Sequence, residues 1–504
     1  MAPLHKFAKT AFTAASTYQS TITTPKRCRT ITTSIGTSTS SSSEINVASI
    51  VSLEEMCGLF KAEPADNLYL TSNNDGERGV CVHKSIKKGD VVISIPLSSC
   101  FRDDEPPRWY EHSIADEDMT DNDEDDEHDI TDYERYSPSG WASRLAASVL
   151  DLQLNNLDEG EVPNTNDDLQ TGREMWQSML PDEDLLRASL PVHWGEEILS
   201  STKCTALELA IDSAYFARAT AVMTLSSDLQ QLLHDNDVDQ EAIDTNYLER
   251  KCHNALDIVQ TRACRVERKC DDGAQWGPPL RILAPIFDFI NHASSRSTGY
   301  GSANSEFGVE NEHMCDMHEA KLVVRALRDI NEGEEVLIDY GDSARPAWRC
   351  LTSYGFVPDY DLDADSNDDE EPIENVAELW MNGLRFDIDP NSVPFDLVEV
   401  AAAQTMLDYS VDQDEFAREQ EDIENGMLTP LVARTIADRA SEAAVNLVVE
   451  ADNGDSEEDV WDKPEFVQAA SLANRLRWSQ HEVLMTFSKN LRRLCNPEPG
   501  EEGE

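Results

Sequence analysis

The stretch Leu283–Ser295, LAPIFDFINHASS, is an apolar run that ends on two polar side chains. Six of its first eight residues are apolar, as in a buried strand or a tight helical turn, and the run then stops at Asn291-His292. A buried amide and imidazole need hydrogen-bond partners. The pair therefore either caps a strand as satisfied core residues or offers its groups to a ligand. Arg262, in TRACRV, carries a planar fork suited to gripping a carboxylate at two points. Arg265, Arg268 and Lys269 follow closely, so a charged helix surface is the alternative. Gly76-Glu77-Arg78-Gly79 has turn chemistry and reads as a lead-in to a strand or as backbone left bare for a ligand. Tyr340, in IDYG, brings a phenol. Tyr354 and Phe356, in SYGF, bring two rings that either fill core or wall a flat ligand.

Other chemistries fit poorly. The 11 cysteines contain no CxxC, and Cys264 and Cys270 do not have zinc-ligand spacing, so no metal is expected. Asp359, Asp361, Asp363 and Glu370 fall at calcium-loop positions, but Ala364 and Ser366 stand where the loop needs glycine and an apolar residue. A formal charge of −57 argues against nucleic acid and suits a basic protein target. No apolar stretch approaches the roughly 18 residues that a membrane span requires. A monomer is expected.

The elements that must position these residues come in blocks. GVCVHKSIKKGDVVISIP (Gly79–Pro96) reads as strand, Lys-Lys-Gly turn, strand, a hairpin in the making. KLVVRALRDINEGEEVLIDYG (Lys321–Gly341) repeats the scheme around Asn-Glu-Gly. Between them the chain is mostly helical, with apolar residues at helical spacing over Trp141–Leu154 and Ala206–Leu233. After Pro358 it reads as helical to the end, over Val398–Tyr409, Leu431–Val449 and Phe466–Leu494. This order is not alternating βαβ, which argues against a doubly wound sheet, and short strands far apart in sequence must pair. Runs such as Asp116–Glu127, with nine acidic residues in twelve, Asp359–Glu371 and Asp452–Asp459 read as solvated loops.

Taken together, these motifs resemble the SET-domain methyltransferases of the Rubisco large-subunit lysine methyltransferase class. Four anchors carry the resemblance in family order: GERGV (Gly76–Val80), TRACRV (Thr261–Val266), DFINH (Asp288–His292), and IDYGD with LTSYGFVP (Ile338–Pro358). WQSMLPDEDLLRASLPVHW (Trp176–Trp194) resembles the family's insertion, and the match spans roughly residues 66–495. The implied fold is α+β: short β-sheets with a helical insertion over about 140–280 and an acidic loop over about 103–134 in a SET domain at 45–357. An all-α substrate-binding-like domain would occupy 358–504.

The resemblance also implies a cofactor, S-adenosylmethionine. Asn291 would bond its methionine amine and the His292 backbone its adenine edge, on a rigid apolar support, with Asp288 of the same run counted among the cofactor-binding residues. Gly76, Glu77 and Arg78 would run past the methionine part. Arg262 would pair with the cofactor carboxylate, although Thr261 and Cys264 depart from the family's usual Ser and aromatic there. Tyr354 and Phe356 would wall the adenine. Tyr340 would be catalytic: a lysine amine of about pKa 10.4 is neutral in only about one molecule in 2,500 at pH 7, a cost of roughly 4.6 kcal/mol. Desolvation and a nearby sulfonium charge lower that cost, and a buried tyrosine hydroxyl can orient the amine. Strand alternation would turn Asp339 away from Tyr340.

The missing Cys-x-Cys cluster agrees with relatives that close the site with helices. A histidine acceptor remains open, with Thr298-Gly299-Tyr300 resembling histidine-modifying relatives, and so does a non-catalytic binding module. The first 43 residues are basic, rich in Ser and Thr, and free of acid until Glu44, which reads as a chloroplast or mitochondrial transit peptide over 1–44, or as a tail with no address on a cytoplasmic protein.

Overall fold

The computed structural model describes residues 47–72, 78–110, 132–154, 167–235, 244–267, 279–293, 303–310, 320–340, 346–358, 376–407, 413–425, 427–449 and 464–495. The basic N-terminal segment, the three acidic runs, the calcium-like positions Asp359, Asp361, Asp363 and Glu370, and Thr298–Tyr300 lie outside them, as do Gly76 and Glu77. By its contacts the chain divides into Met1–Ile45 and Asn46–Glu504. All described residues belong to the second unit.

Helix α1 (Val47–Leu59) leads into strands β1 (Leu68–Ser72), β2 (Arg78–Val82), β3 (Val91–Pro96) and β4 (Phe101–Arg102). A helical block follows: α2 (Asp132–Tyr136), α3 (Trp141–Gln153), α4 (Asp167–Ser178), α5 (Glu183–Ser189), α6 (Glu196–Ser201), α7 (Thr205–Asp235) and α8 (Thr245–Arg262). Six strands come next: β5 (Cys264–Val266), β6 (Leu280–Leu283), β7 (Asn291–His292), β8 (Ser305–Glu310), β9 (Lys321–Ala326) and β10 (Leu337–Ile338). After α9 (Ala347–Tyr354) come β11 (Ala377–Met381), β12 (Leu384–Ile388) and helices α10 (Phe395–Leu407), α11 (Gln413–Glu424), α12 (Pro430–Val449) and α13 (Pro464–Cys495).

The Gly79–Pro96 segment does not close on itself as a hairpin. β2 pairs with β1 and β3 pairs with β9, both antiparallel. The two strand–turn–strand units run antiparallel to each other along their length: Val336 N donates to Val80 O, Cys81 bridges Glu335, Ile86 bridges Ile330, and Ile95 lies opposite Leu322. β9 buries four of its six residues and β3 fully exposes none, so each needs covering on two sides rather than one. The resulting five-stranded sheet has the order β3-β9-β8-β10-β7, with β10 parallel to both of its neighbours.

Helix α7 shows why the helical block holds together. Leu207, Ile211, Ala214, Ala217, Ala221, Leu225 and Leu229 recur every three or four residues and are buried. Its first turn is capped from the C-terminal region: the Glu378 carboxylate, on β11, accepts from Thr205 N at 3.2 Å and Ala206 N at 2.6 Å. The C-terminal region is helical as the sequence suggested, with the addition of the β11–β12 hairpin. One core unites the sheets with α3 and α8, and a second lies within the C-terminal region. A smaller cluster joins Leu207 and Ile211 of α7, Leu351 of α9, and Leu472 and Leu476 of α13. Full burial of each leucine contributes about 1.5–3 kcal/mol, which ties the last helix to the helix that carries Tyr354. Among the described residues no helix is long and apolar enough to cross a membrane.

Candidate functional site

The apolar run 283–290 is a buried support. It leaves β6, passes Ile286 at φ 76°, makes a 3-10 turn at Phe287–Phe289 and delivers Asn291-His292 as β7. β7 is a sheet edge held by β10, with Leu337 opposite Asn291 and Ile338 opposite His292. The polar pair therefore sits half-buried at the end of a rigid strand.

Tyr340 lies two residues past the end of β10 and returns to the same run. Its hydroxyl donates to Ile290 O at 2.8 Å, and its backbone N–H donates to His292 Nδ1 at 3.2 Å. Its ring centroid is 5.2 Å from His292 and 5.0 Å from Tyr354, and Phe356 stacks 6.0 Å from Tyr354 and lies 5.8 Å from His292. Tyr354 OH in turn donates to Tyr340 O at 3.3 Å. Burial pushes the Tyr340 phenol well above the ordinary tyrosine range, against the pull of Arg262. The hydroxyl stays protonated at neutral pH and is no base. With its hydrogen committed to Ile290 O, what it can offer a ligand is oxygen lone pairs.

Asn291 is committed in the same sense. Its Nδ2 donates to Arg78 O at 2.6 Å and to Glu335 Oε1 at 2.8 Å. A carbonyl and a carboxylate both require an N–H, so Oδ1 is left as the outward acceptor. Glycine at residue 79 leaves room for the Glu335 carboxylate where it lies: a Cβ there would sit 2.0 Å from Glu335 Oε1 and 3.2 Å from Asn291 Nδ2, and the carboxylate would have to move. The Arg78 side chain turns the other way, to Met179 O.

Arg262 ends α8 and is no surface arginine. Its Nη1 bonds Asp288 Oδ2 at 3.0 Å and Asp288 O at 2.9 Å. Asp288 corrects a sequence expectation. Its side chain is 0% exposed and also accepts from Trp176 Nε1 at 3.0 Å, so its carboxylate anchors the support rather than facing a ligand. Burial pushes that carboxyl up, and the Arg262 charge opposes the shift. The buried Nε of Arg262 has no hydrogen-bond partner among the described residues. Asp339 is a second correction. Because β10 stops at Ile338, strand alternation does not reach Asp339, and its carboxylate lies 4.0 Å from His292 Nδ1, at the site's edge rather than away from it.

Behind the rings lies a buried polar network that the sequence reading missed. Arg218 of α7 pairs with Asp257 of α8, and His193 Nε2 sits 2.9 Å from both oxygens of Asp257. Gln260 accepts from Tyr136 OH and donates to Thr352 O, two residues before Tyr354. Burial pushes Asp257 up, but Arg218 and His193 outweigh it and hold the carboxyl below its usual range. The helical block is thereby fixed to the segment that carries the rings. Charged residues at helical spacing on buried faces, Arg218 and Asp257, were the signal available in the sequence.

A model of the SET domain matches residues 77–341, more than half of the 504-residue chain. The chain belongs to the SET-domain family. The matched span takes in Arg78, Arg262, Asp288, Asn291, His292, Glu335 and Tyr340, with Tyr354 and Phe356 just beyond it. Among solved structures, this SET protein is similar to the SET domain of LSMT bound to lysine and AdoHcy, at TM-score 0.47 and 13% identity over 89% of this chain and 92% of that one. It is also similar to the SET domain of LSMT bound to MeLysine and AdoHcy, at TM-score 0.46 and 14% identity over 89% and 92%. A third is Rubisco LSMT bound to AdoMet, at TM-score 0.43 and 14% identity over 89% and 92%. No curated protein matches the chain.

Proposed function

We propose that this SET protein is an S-adenosylmethionine-dependent methyltransferase of the Rubisco large-subunit lysine methyltransferase class, acting on a lysine amine of a protein substrate. The observation that carries this reading is that the donors of Asn291 and Tyr340 are both taken by the protein, which leaves two oxygen acceptors beside aromatic faces. Such a site suits ligands bearing N–H donors and positive charge. The residues present fit the cofactor. Asn291 Oδ1 is an acceptor for an ammonium, and the Arg262 charge, close enough to pull on the Tyr340 phenol, favours a carboxylate. Together these match the two ends of an amino acid. His292, Tyr354 and Phe356 supply flat faces for a base.

S-adenosylmethionine, when bound, supplies a methyl group activated by a sulfonium. The protein's own part is alignment and desolvation. Tyr340, held by Ile290 O, presents a fixed oxygen to an amine N–H and orients the nitrogen lone pair. Its phenol is too weak an acid to be ionised and takes no proton. The incoming amine must arrive neutral, and removal from water beside a positive ligand favours that form. The chain's acidic charge, −57 overall, favours a lysine-bearing basic partner. Isothermal titration with S-adenosylmethionine tests the reading. Binding that is weakened by Asn291→Ala and by Arg262→Ala supports it, and no binding by the wild type overturns it.

A further inference from the structure

Of the consecutive carboxylates Glu334 and Glu335, the first belongs to the turn. It binds Arg328 at 2.6 Å and accepts from Asn331 N at 2.9 Å. The second points into the site. Its backbone is clamped on two sides: Asn304 Nδ2, on a fully buried residue, donates to Glu335 O at 2.7 Å, and Val336 N donates to Val80 O at 2.7 Å. With the main chain fixed, the side chain lies against Gly79 and receives the Asn291 amide at 2.8 Å.

We infer that Glu335 is a positioning residue that locks the Asn291 amide with its oxygen toward the ligand, so that this edge of the site selects an ammonium. The inference rests on the methyltransferase reading above and adds the residue that sets the polarity of the amino-acid subsite. An Asn291 held only by Arg78 O would have a second N–H free to turn toward the ligand, where it would meet an ammonium donor with a donor. The carboxylate removes that choice, because it accepts only an N–H.

The test is a binding cycle with S-adenosylhomocysteine, which carries the α-amino group and has no methyl to transfer, measured by calorimetry on the full chain. Asn291→Ala and Glu335→Ala are each expected to weaken binding roughly tenfold or more. The double variant should bind within about threefold of Asn291→Ala alone, because Glu335 acts through Asn291. Glu335→Gln, which can still face the amide with an oxygen, should stay within about threefold of wild type. The analogue of S-adenosylhomocysteine lacking the α-amino group should bind Glu335→Ala and wild type alike. If Glu335→Ala does not fold, Glu335→Asp, whose carboxylate is one methylene shorter, takes its place with the same expectation. Wild-type affinity in Glu335→Ala, losses that multiply in the double variant, a Glu335→Gln as weak as Glu335→Ala, or an equal loss for the amine-free analogue would each overturn the inference alone. No binding by the wild type would overturn the methyltransferase reading and the inference with it.

Discussion

Replacing Tyr340 with Phe removes one oxygen and keeps the ring, so the packing against His292 and Tyr354 persists. What is lost is the 2.8 Å bond to Ile290 O, on a residue that is 1% exposed. Leaving that carbonyl without its donor costs about 1–3 kcal/mol of stability. The catalytic loss has a separate origin, the fixed oxygen that orients the amine. Deleting one preorganised hydrogen-bonding group typically lowers kcat by roughly 10²–10³, about 2.7–4 kcal/mol. Steady-state methyl transfer, calorimetry with S-adenosylhomocysteine and urea unfolding separate the two effects. The expected result is kcat down by about two orders of magnitude with cofactor affinity within about threefold, because the wall that the ring provides is intact. A kcat within a few-fold of wild type, or a loss confined to cofactor affinity, would refute the role assigned to the hydroxyl.

Other expectations follow from the buried network and the N-terminus. Asp257→Asn leaves the Arg218 guanidinium buried without its charge partner and should lower unfolding free energy by about 3–5 kcal/mol in urea titration. His253 is held at about 4 rather than its usual 6.5, chiefly by burial and then by the neighbouring Arg218 and His193 charges, with Asp257 opposing. The fold favours its neutral form, so this contribution is complete above pH 6.5 and is lost as pH falls toward about 4. It amounts to at most about 3 kcal/mol. His253→Gln should flatten the stability–pH curve between those values, and an unchanged slope would contradict the assignment. Residues 1–44 fused to a fluorescent reporter should carry it into a chloroplast or mitochondrion, and a diffuse cytosolic signal would count against an organelle address.

The helices were legible because their apolar periodicity reports directly on burial. The expected spans over Trp141–Leu154, Ala206–Leu233 and Leu431–Val449 differ from α3, α7 and α12 by two residues or fewer at each end. Strand partners were not legible. β3 is preceded by the Lys-Lys-Gly turn that would fold it back on β2, yet its partner β9 lies more than 200 residues away, and no local pattern encodes that choice. The β11–β12 hairpin did leave a signal. Asn382-Gly383 sits between two strand-like runs, and both residues have positive φ, as a two-residue hairpin turn requires. Within the site, motif residues located the run that ends in Asn291-His292 and the return at Tyr340. The inward direction of Asp288, the turn of Asp339 toward His292, and the lock by Glu335 depend on where strands end and what packs beside them. Residue type alone does not carry that information.

The central claim is methyl transfer to a lysine. The most direct measurement gives the purified protein S-adenosylmethionine with an isotopically labelled methyl group and an organelle extract, and locates the label by mass spectrometry. The account predicts label on lysine Nζ of a protein substrate, present with wild type and reduced about a hundredfold with Tyr340→Phe. Label on histidine, or no label from a wild-type protein shown to be folded, would contradict it.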